Sequence, residues 1–136
     1  MAAGPFNWTA YFTLANELAA RHGDEAALRT AISRAYYYVY HLALQRATAN
    51  SFTLQEGDGG THKQLWSIFS GSPDPECKRL GDIASRLREK RIRADYKPYF
   101  ARVGEEVPAV IGDAQDFAAR LARLPERLPN PASVRR

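Results

Sequence analysis

The stretch "LGDIASRLREKRIRADY" (Leu80–Tyr96) decides how the chain folds. Leu80, Ile83, Ala84 and Leu87 recur at the three- and four-residue spacing of one helix face and form an apolar stripe. The next position on that stripe is Arg91, with Ala94 beyond it and with Arg88 and Asp95 on its edge. Five of the eleven residues from Arg86 to Tyr96 are Arg or Lys, which alone reads as a solvated face. A core-facing seam that runs into a guanidinium reads differently. Such a group must be paired and hydrogen-bonded, or its desolvation costs several kcal/mol. Asp95, one turn further on, is placed to answer Arg91.

The flanking sequence supplies the partners this helix needs. Trp8, Tyr11, Phe12, Ala15, Leu18 and Ala19 follow the 3.6-residue period and predict a first helix over 7–21, stopped by Gly23. Asp24 is an N-cap for a second helix reaching about Thr48, with Leu28, Ala31, Ile32, Ala35, Val39 and Leu42 on its apolar side. "ANSFTLQEGDGG" (49–60) reads as a loop, because its glycines disfavour a helix. Thr61 with Gln64 forms a capping box that opens a short third helix, with Leu65, Ile68 and Phe69 inward. In "GSPDP", Asp74 caps and Pro75 enters the first turn of the fourth helix, which runs to about Tyr96. Gly81 inside it costs about 1 kcal/mol relative to Ala and implies a close helix crossing. Pro98 ends the segment. A fifth helix begins near Glu105–Pro108, and Val107, Val110, Ile111, Ala114, Phe117, Ala118, Leu121 and Leu124 mark its inner face. Prolines at 125, 129 and 131 close it. The expected architecture is an all-α, up-and-down antiparallel bundle of five helices over residues 1–124. A flexible Pro/Arg-rich tail is expected over 125–136.

The totals agree with one domain of an ordinary water-soluble chain: 136 residues, 45% hydrophobic and 25% charged. No apolar run approaches the roughly 20 residues that span a bilayer. "MAAGPFNWTA" has neither a basic start nor an apolar block, so no signal peptide is read there. The single cysteine, Cys77, excludes an intrachain disulfide and a cysteine-built zinc site, and the default compartment is the cytoplasm. The net charge of +4 is uneven: residues 1–77 carry −2 and residues 78–136 carry +6. A basic half points either to a polyanionic partner such as nucleic acid or to a solvated helix surface.

On the second helix, Tyr36 and Tyr40 flank one edge of the apolar stripe, and Arg34, Tyr38 and His41 flank the other. Aromatic groups on both edges imply a central helix covered on most sides. If it packs on the fourth helix, Arg34, Tyr38, His41, Arg88, Arg91, Asp95 and Tyr96 form one polar cluster. Two readings follow. Either a buried ion-pair network fixes helix register, or a site binds a phosphate-bearing ligand, since guanidinium forks match phosphate and aromatic rings stack bases.

"AISRAYYYVYH" (Ala31–His41) resembles the S-R-A-Y-Y-x-x-x-H signature of one branch of the HEPN superfamily. "LREKRIRADY" (Leu87–Tyr96) is similar to the L-R-x-x-R-x-x-A-D-Y signature of the same branch. The aromatic first helix and "THKQLW" are similar too, so the resemblance covers about residues 6–124. It implies an all-α bundle that dimerises through its long helices. Many HEPN proteins are metal-independent endoribonucleases of toxin–antitoxin and other prokaryotic defence systems, with an R-x4-6-H motif at the dimer interface. Others are non-catalytic binding modules. Antitoxin partners include nucleotidyltransferase-fold proteins. This chain departs from the catalytic pattern: the histidine position is Tyr96 counting from Arg91, and Arg93 counting from Arg88. Tyrosine, with a pKa near 10, is a poor base at pH 7.

The remaining candidates are few. His41 lies on the cluster face and reads as an acid or base, or as a hydrogen-bonded structural residue. His62 follows a helix cap and reads as exposed, and His22 as a helix-end residue. No His/Asp/Glu group has metal-ligand spacing, "EGDGG" lacks the Lys-Ser/Thr of a phosphate loop, and there is no G-x-S-x-G elbow. Cys77, in a helix first turn, reads as a small buried apolar residue rather than a reactive thiolate.

The combined expectation is a HEPN-like module of a defence or toxin–antitoxin type system. It uses no cofactor or metal and binds RNA, a nucleotide or a partner protein through Arg34, Tyr38, Arg88, Arg91, Asp95 and Tyr96. The alternative is a metal-independent endoribonuclease toxin with a divergent site, its catalytic candidates being Arg91, Tyr96 and His41. The partners implied are a second copy of the chain, RNA or a nucleotide, and an antitoxin such as a nucleotidyltransferase-fold protein, with no membrane.

Overall fold

In the computed structural model, residues 4–50, 52–54 and 60–124 are described. Five helices occur in the order α1 (Thr9–Ala19), α2 (Glu25–Ala49), α3 (Gly60–Ser70), α4 (Pro75–Tyr96) and α5 (Val103–Arg123), with no strand among the described residues. They pack against one another as an all-α bundle. α2 is the centre: it contacts each of the other four helices. Its buried residues Ile32, Ala35, Tyr36, Val39 and Ala43 lie against Leu65 and Phe69 of α3, Leu80 and Leu87 of α4, and Phe117 of α5 in a single core. None of the helices is long and apolar enough to cross a membrane. The expected tail at 125–136 lies outside the described residues, as do positions 51 and 55–59 of the expected loop.

The local signals act as the sequence predicts, with shifts at several ends. Asp24 Oδ1 accepts the Ala27 amide hydrogen at the start of α2, and Asp74 Oδ1 accepts that of Glu76 ahead of Pro75 in α4. Gly23, with φ +118°, takes the left-handed conformation that breaks α1 from α2. α1 is shorter than 7–21 because its last amides, Ala20 and Arg21, turn to the carbonyls three residues back and tighten the chain. α3 starts at Gly60, so Thr61 falls inside its first turn rather than at the cap position. α5 starts at Val103, two residues before Glu105. Arg102, at φ 58°, offers its carbonyl to the amides of Glu105 and Glu106 and sets the helix going there. At Gly81 the crossing is as close as expected: a Cβ there would sit 2.5 Å from Ser70 Oγ and 3.0 Å from Ser70 N.

One tie was not read from the sequence. Arg29 of α2 donates to the carbonyls of Ala94 (3.0 Å), Lys97 (2.6 Å) and Pro98 (3.3 Å), and its Nε is held by Glu25 at 2.8 Å. These carbonyls close the C-terminal end of α4, where the chain turns extended at Lys97 before Pro98. The Arg29 side chain thereby fixes the end of α4 that carries Asp95 and Tyr96.

Candidate functional site

The second half of α4 meets the middle of α2 across a polar seam. Arg91 turns inward, with its side chain 14% exposed. Its Nε donates to Asp95 Oδ2 at 2.9 Å and its Nη2 to Tyr96 Oη at 3.3 Å. Ser33 Oγ donates to the same Asp95 oxygen at 3.1 Å and accepts from Arg34 Nη2 at 3.4 Å. The guanidinium groups of Arg91 and Arg34 lie 5.0 and 5.2 Å from the ring centre of Tyr37, and Arg34 lies 4.5 Å from that of Tyr11 on α1. Burial opposes the charge on Arg91, but Tyr37, Asp95 and Tyr96 outweigh it and hold the guanidinium protonated.

The structure therefore brings together Arg34, Arg91, Asp95 and Tyr96, with Tyr37 as the ring between the two arginines. Tyr38 belongs elsewhere: it stacks on Phe12 of α1, with ring centres 4.9 Å apart. One residue along a helix is a rotation of about 100°, and that step separates the α4-facing position 37 from the α1-facing position 38. His41 also leans to the α1 side. It lies parallel to Trp8, ring centres 3.4 Å apart, and at 6.4 Å from Tyr37. Burial and the nearby charge of Arg34 lower its pKa. Tyr96 is 67% exposed, so its ring offers an open face at the end of the seam.

Arg88, one turn before Arg91, turns toward α3. With Lys63, Ser67, Ser70 and Ser85 it lines a cleft of about 390 Å³ between α3 and α4. Its Nε is buried and has no hydrogen-bond acceptor, alone in this among the described residues. An unanswered guanidinium N–H inside the protein is costly.

His62 is the residue that sequence reading missed. It was expected to be exposed, and it is half-buried, because the first turn of α3 tucks against the middle of α2. Its Nδ1 lies 2.6 Å from Tyr36 Oη, which also accepts from Trp66 Nε1 at 3.0 Å. Its ring stacks on Tyr40 at 4.4 Å and meets Tyr37 edge-on at 5.9 Å. Burial, then the charges of Arg88, Arg91 and His41, push its pKa down to about 4. His41 and His62 share the wall of a cleft of about 630 Å³ that opens beside Tyr40. The signal available in the sequence was the i, i+4 pair His62 and Trp66 on the face of a short helix otherwise carrying Leu65 and Phe69.

Chemically the seam presents the guanidinium groups of Arg34 and Arg91 on the Tyr37 ring, with Asp95 as the carboxylate bonded to Arg91, while Arg88 faces the α3–α4 cleft and the two imidazoles stack on Trp8 and Tyr40. Cys77 is buried, and burial raises its thiol pKa, so it packs as an apolar residue. Among the described residues no three His, Cys, Asp or Glu side chains converge as a metal ion would need. Comparison with known proteins gives no match: no family model fits the chain, and no curated protein and no solved structure is significantly similar to it.

Proposed function

We propose that this chain is a HEPN-like binding module that holds the phosphate backbone of single-stranded RNA along the α2–α4 seam. Arg34 and Arg91 contact phosphate, Arg88 adds positive charge from the α3 side, and the exposed ring of Tyr96 is offered to a base. The observation that carries this reading is the convergence of two arginines, Arg34 and Arg91, on the Tyr37 ring, with a single bonded carboxylate beside them. The two sequence motifs support a place in a prokaryotic defence or toxin–antitoxin type system, with a second copy and an antitoxin as partners. Fluorescence anisotropy with a single-stranded RNA oligonucleotide tests the reading. Arg34→Ala and Arg91→Ala weaken binding about tenfold each, in line with the roughly 1.4 kcal/mol that a lost charged contact represents, while Arg79→Ala on the exposed start of α4 does not. Equal affinity in all four proteins contradicts it.

A second reading, a metal-independent endoribonuclease, draws on the position of His62 beside Arg88 and Arg91. It would use a histidine from α3 in place of the one the α4 motif lacks. A pKa of about 4 makes that imidazole a weak base at neutral pH, so binding stands first. RNA cleavage in EDTA that disappears in both His62→Gln and Arg91→Ala would reverse the order.

A further inference from the structure

Tyr36 is fully buried, and its hydroxyl stands between two nitrogens, Trp66 Nε1 at 3.0 Å and His62 Nδ1 at 2.6 Å. An indole N–H can only donate. Trp66 therefore gives its hydrogen to Tyr36 Oη, and the hydroxyl's own hydrogen remains for His62 Nδ1. Burial raises the Tyr36 pKa, so that hydrogen stays in place across the working range. With Nδ1 accepting, a neutral imidazole carries its hydrogen on Nε2.

Protonating His62 breaks this arrangement. Nδ1–H and the indole N–H would then both point at one oxygen, and the phenolic hydrogen would lose its acceptor inside the bundle. The surrounding charges act in the same direction. The ionisable groups around the ring are Tyr36, Tyr37, Tyr40 and His41 on α2, the neighbouring Lys63 on α3, and Arg88 and Arg91 on α4. Burial lowers the affinity of the ring for a proton most, and the two arginines and His41 lower it further.

We infer that Tyr36 and Trp66 lock His62 as its uncharged Nε2–H tautomer, making it a fixed hydrogen-bond donor to a ligand phosphate oxygen beside Arg88 and Arg91 rather than a proton carrier. The donor role rests on the phosphate-binding reading above, whereas the lock is a property of the ligand-free protein. Tyr36 and Trp66 are then positioning residues. A locked Nε2–H has no lone pair with which to deprotonate a ribose hydroxyl, which separates this site from one built for cleavage.

Long-range proton–nitrogen NMR of the full chain, with His62 assigned from the His62→Gln variant, tests the lock. The expected result is the Nε2–H form at neutral pH, with protonation only as pH falls to about 4. Tyr36→Phe keeps the buried ring, removes the hydroxyl that fixes Nδ1 as acceptor and mixes the tautomers. An Nδ1–H form in the unmodified chain, or a pure Nε2–H form retained in folded Tyr36→Phe, overturns the lock. Binding of a single-stranded RNA without terminal phosphates tests the donor. His62→Gln, which keeps an N–H near Nε2, stays within about threefold of the unmodified chain, and His62→Ala loses about tenfold. Affinity that climbs severalfold between about pH 8 and about pH 6, and no longer does so in His62→Gln, overturns the donor role. If the unmodified chain does not bind the RNA, the donor role falls with the phosphate reading, and the NMR result judges the lock alone.

Discussion

The two halves of α4 face the same neighbour with opposite chemistry. From Cys77 to Leu87 the helix turns a dry face inward: Cys77, Leu80, Gly81, Ile83, Ala84 and Leu87 are all buried. From Arg88 to Tyr96 the same line of positions carries Arg91, with Arg88 and Asp95 at its edges, and the opposing surface of α2 offers Ser33 and Tyr37. A well-packed apolar continuation would hold the helices together at least as firmly, because a buried ion pair returns little beyond its desolvation cost. The dry half therefore explains why the chain folds, and the polar half needs a reason beyond folding.

Variants of the two halves separate these roles. Leu87→Ala, in the dry half, removes a fully buried side chain and costs about 2–5 kcal/mol in denaturant unfolding. Arg29→Ala frees the carbonyls at the end of α4 and costs about 1.5–3 kcal/mol, the range for hydrogen bonds to a charged group. Because it loosens the segment bearing Asp95 and Tyr96, it also weakens RNA binding. A loss of stability with no change in binding would show that the end of α4 is not part of the site. Asp95→Asn changes stability by less than about 1 kcal/mol, since the pair it disrupts is partly open to water. It raises RNA affinity a few-fold, because the carboxylate competing for Arg91 is gone. Weaker binding in Asp95→Asn would mean that Asp95 contacts the ligand or that the network is needed intact.

The smallest effect is on pH dependence. His62 has a folded pKa of about 4, below the ordinary value near 6.5 that it takes when unfolded. In that window the unfolded chain binds the extra proton, so stability is complete above about 6.5 and declines as pH falls toward 4. The ring is half open to water, which keeps the slope shallow. Thermal melts across this range, compared with His62→Gln, check the sign: the variant loses less on acidification.

Much of this arrangement can be read along one helix and little of it across helices. The stripe from Leu80 to Arg91, the i+4 partner Asp95, the capping residues Asp24 and Asp74, and the tight crossing at Gly81 all follow from local spacing. Helical period points to Tyr38 and not Tyr37 because it says which residues share a face, but not which neighbour covers that face. His62 was read as exposed because a position in a first turn says nothing of what packs over it. Arg29 reaches carbonyls 65 to 69 residues away, a pairing that no local pattern contains.

The seam at Arg91 is most directly tested by the salt dependence of single-stranded RNA binding in the unmodified chain and in Arg91→Met, which keeps the apolar stem and removes the charge. The expected result is that the unmodified chain binds with an affinity that falls as salt rises. Arg91→Met folds as stably to within about 1 kcal/mol, since the Asp95 it leaves behind is partly open to water, binds about tenfold more weakly, and shows a log–log salt slope shallower by about 0.7, the share of one phosphate contact. Unchanged affinity and slope in Arg91→Met, together with a large loss of stability, would make Arg91 a structural ion pair and nothing more.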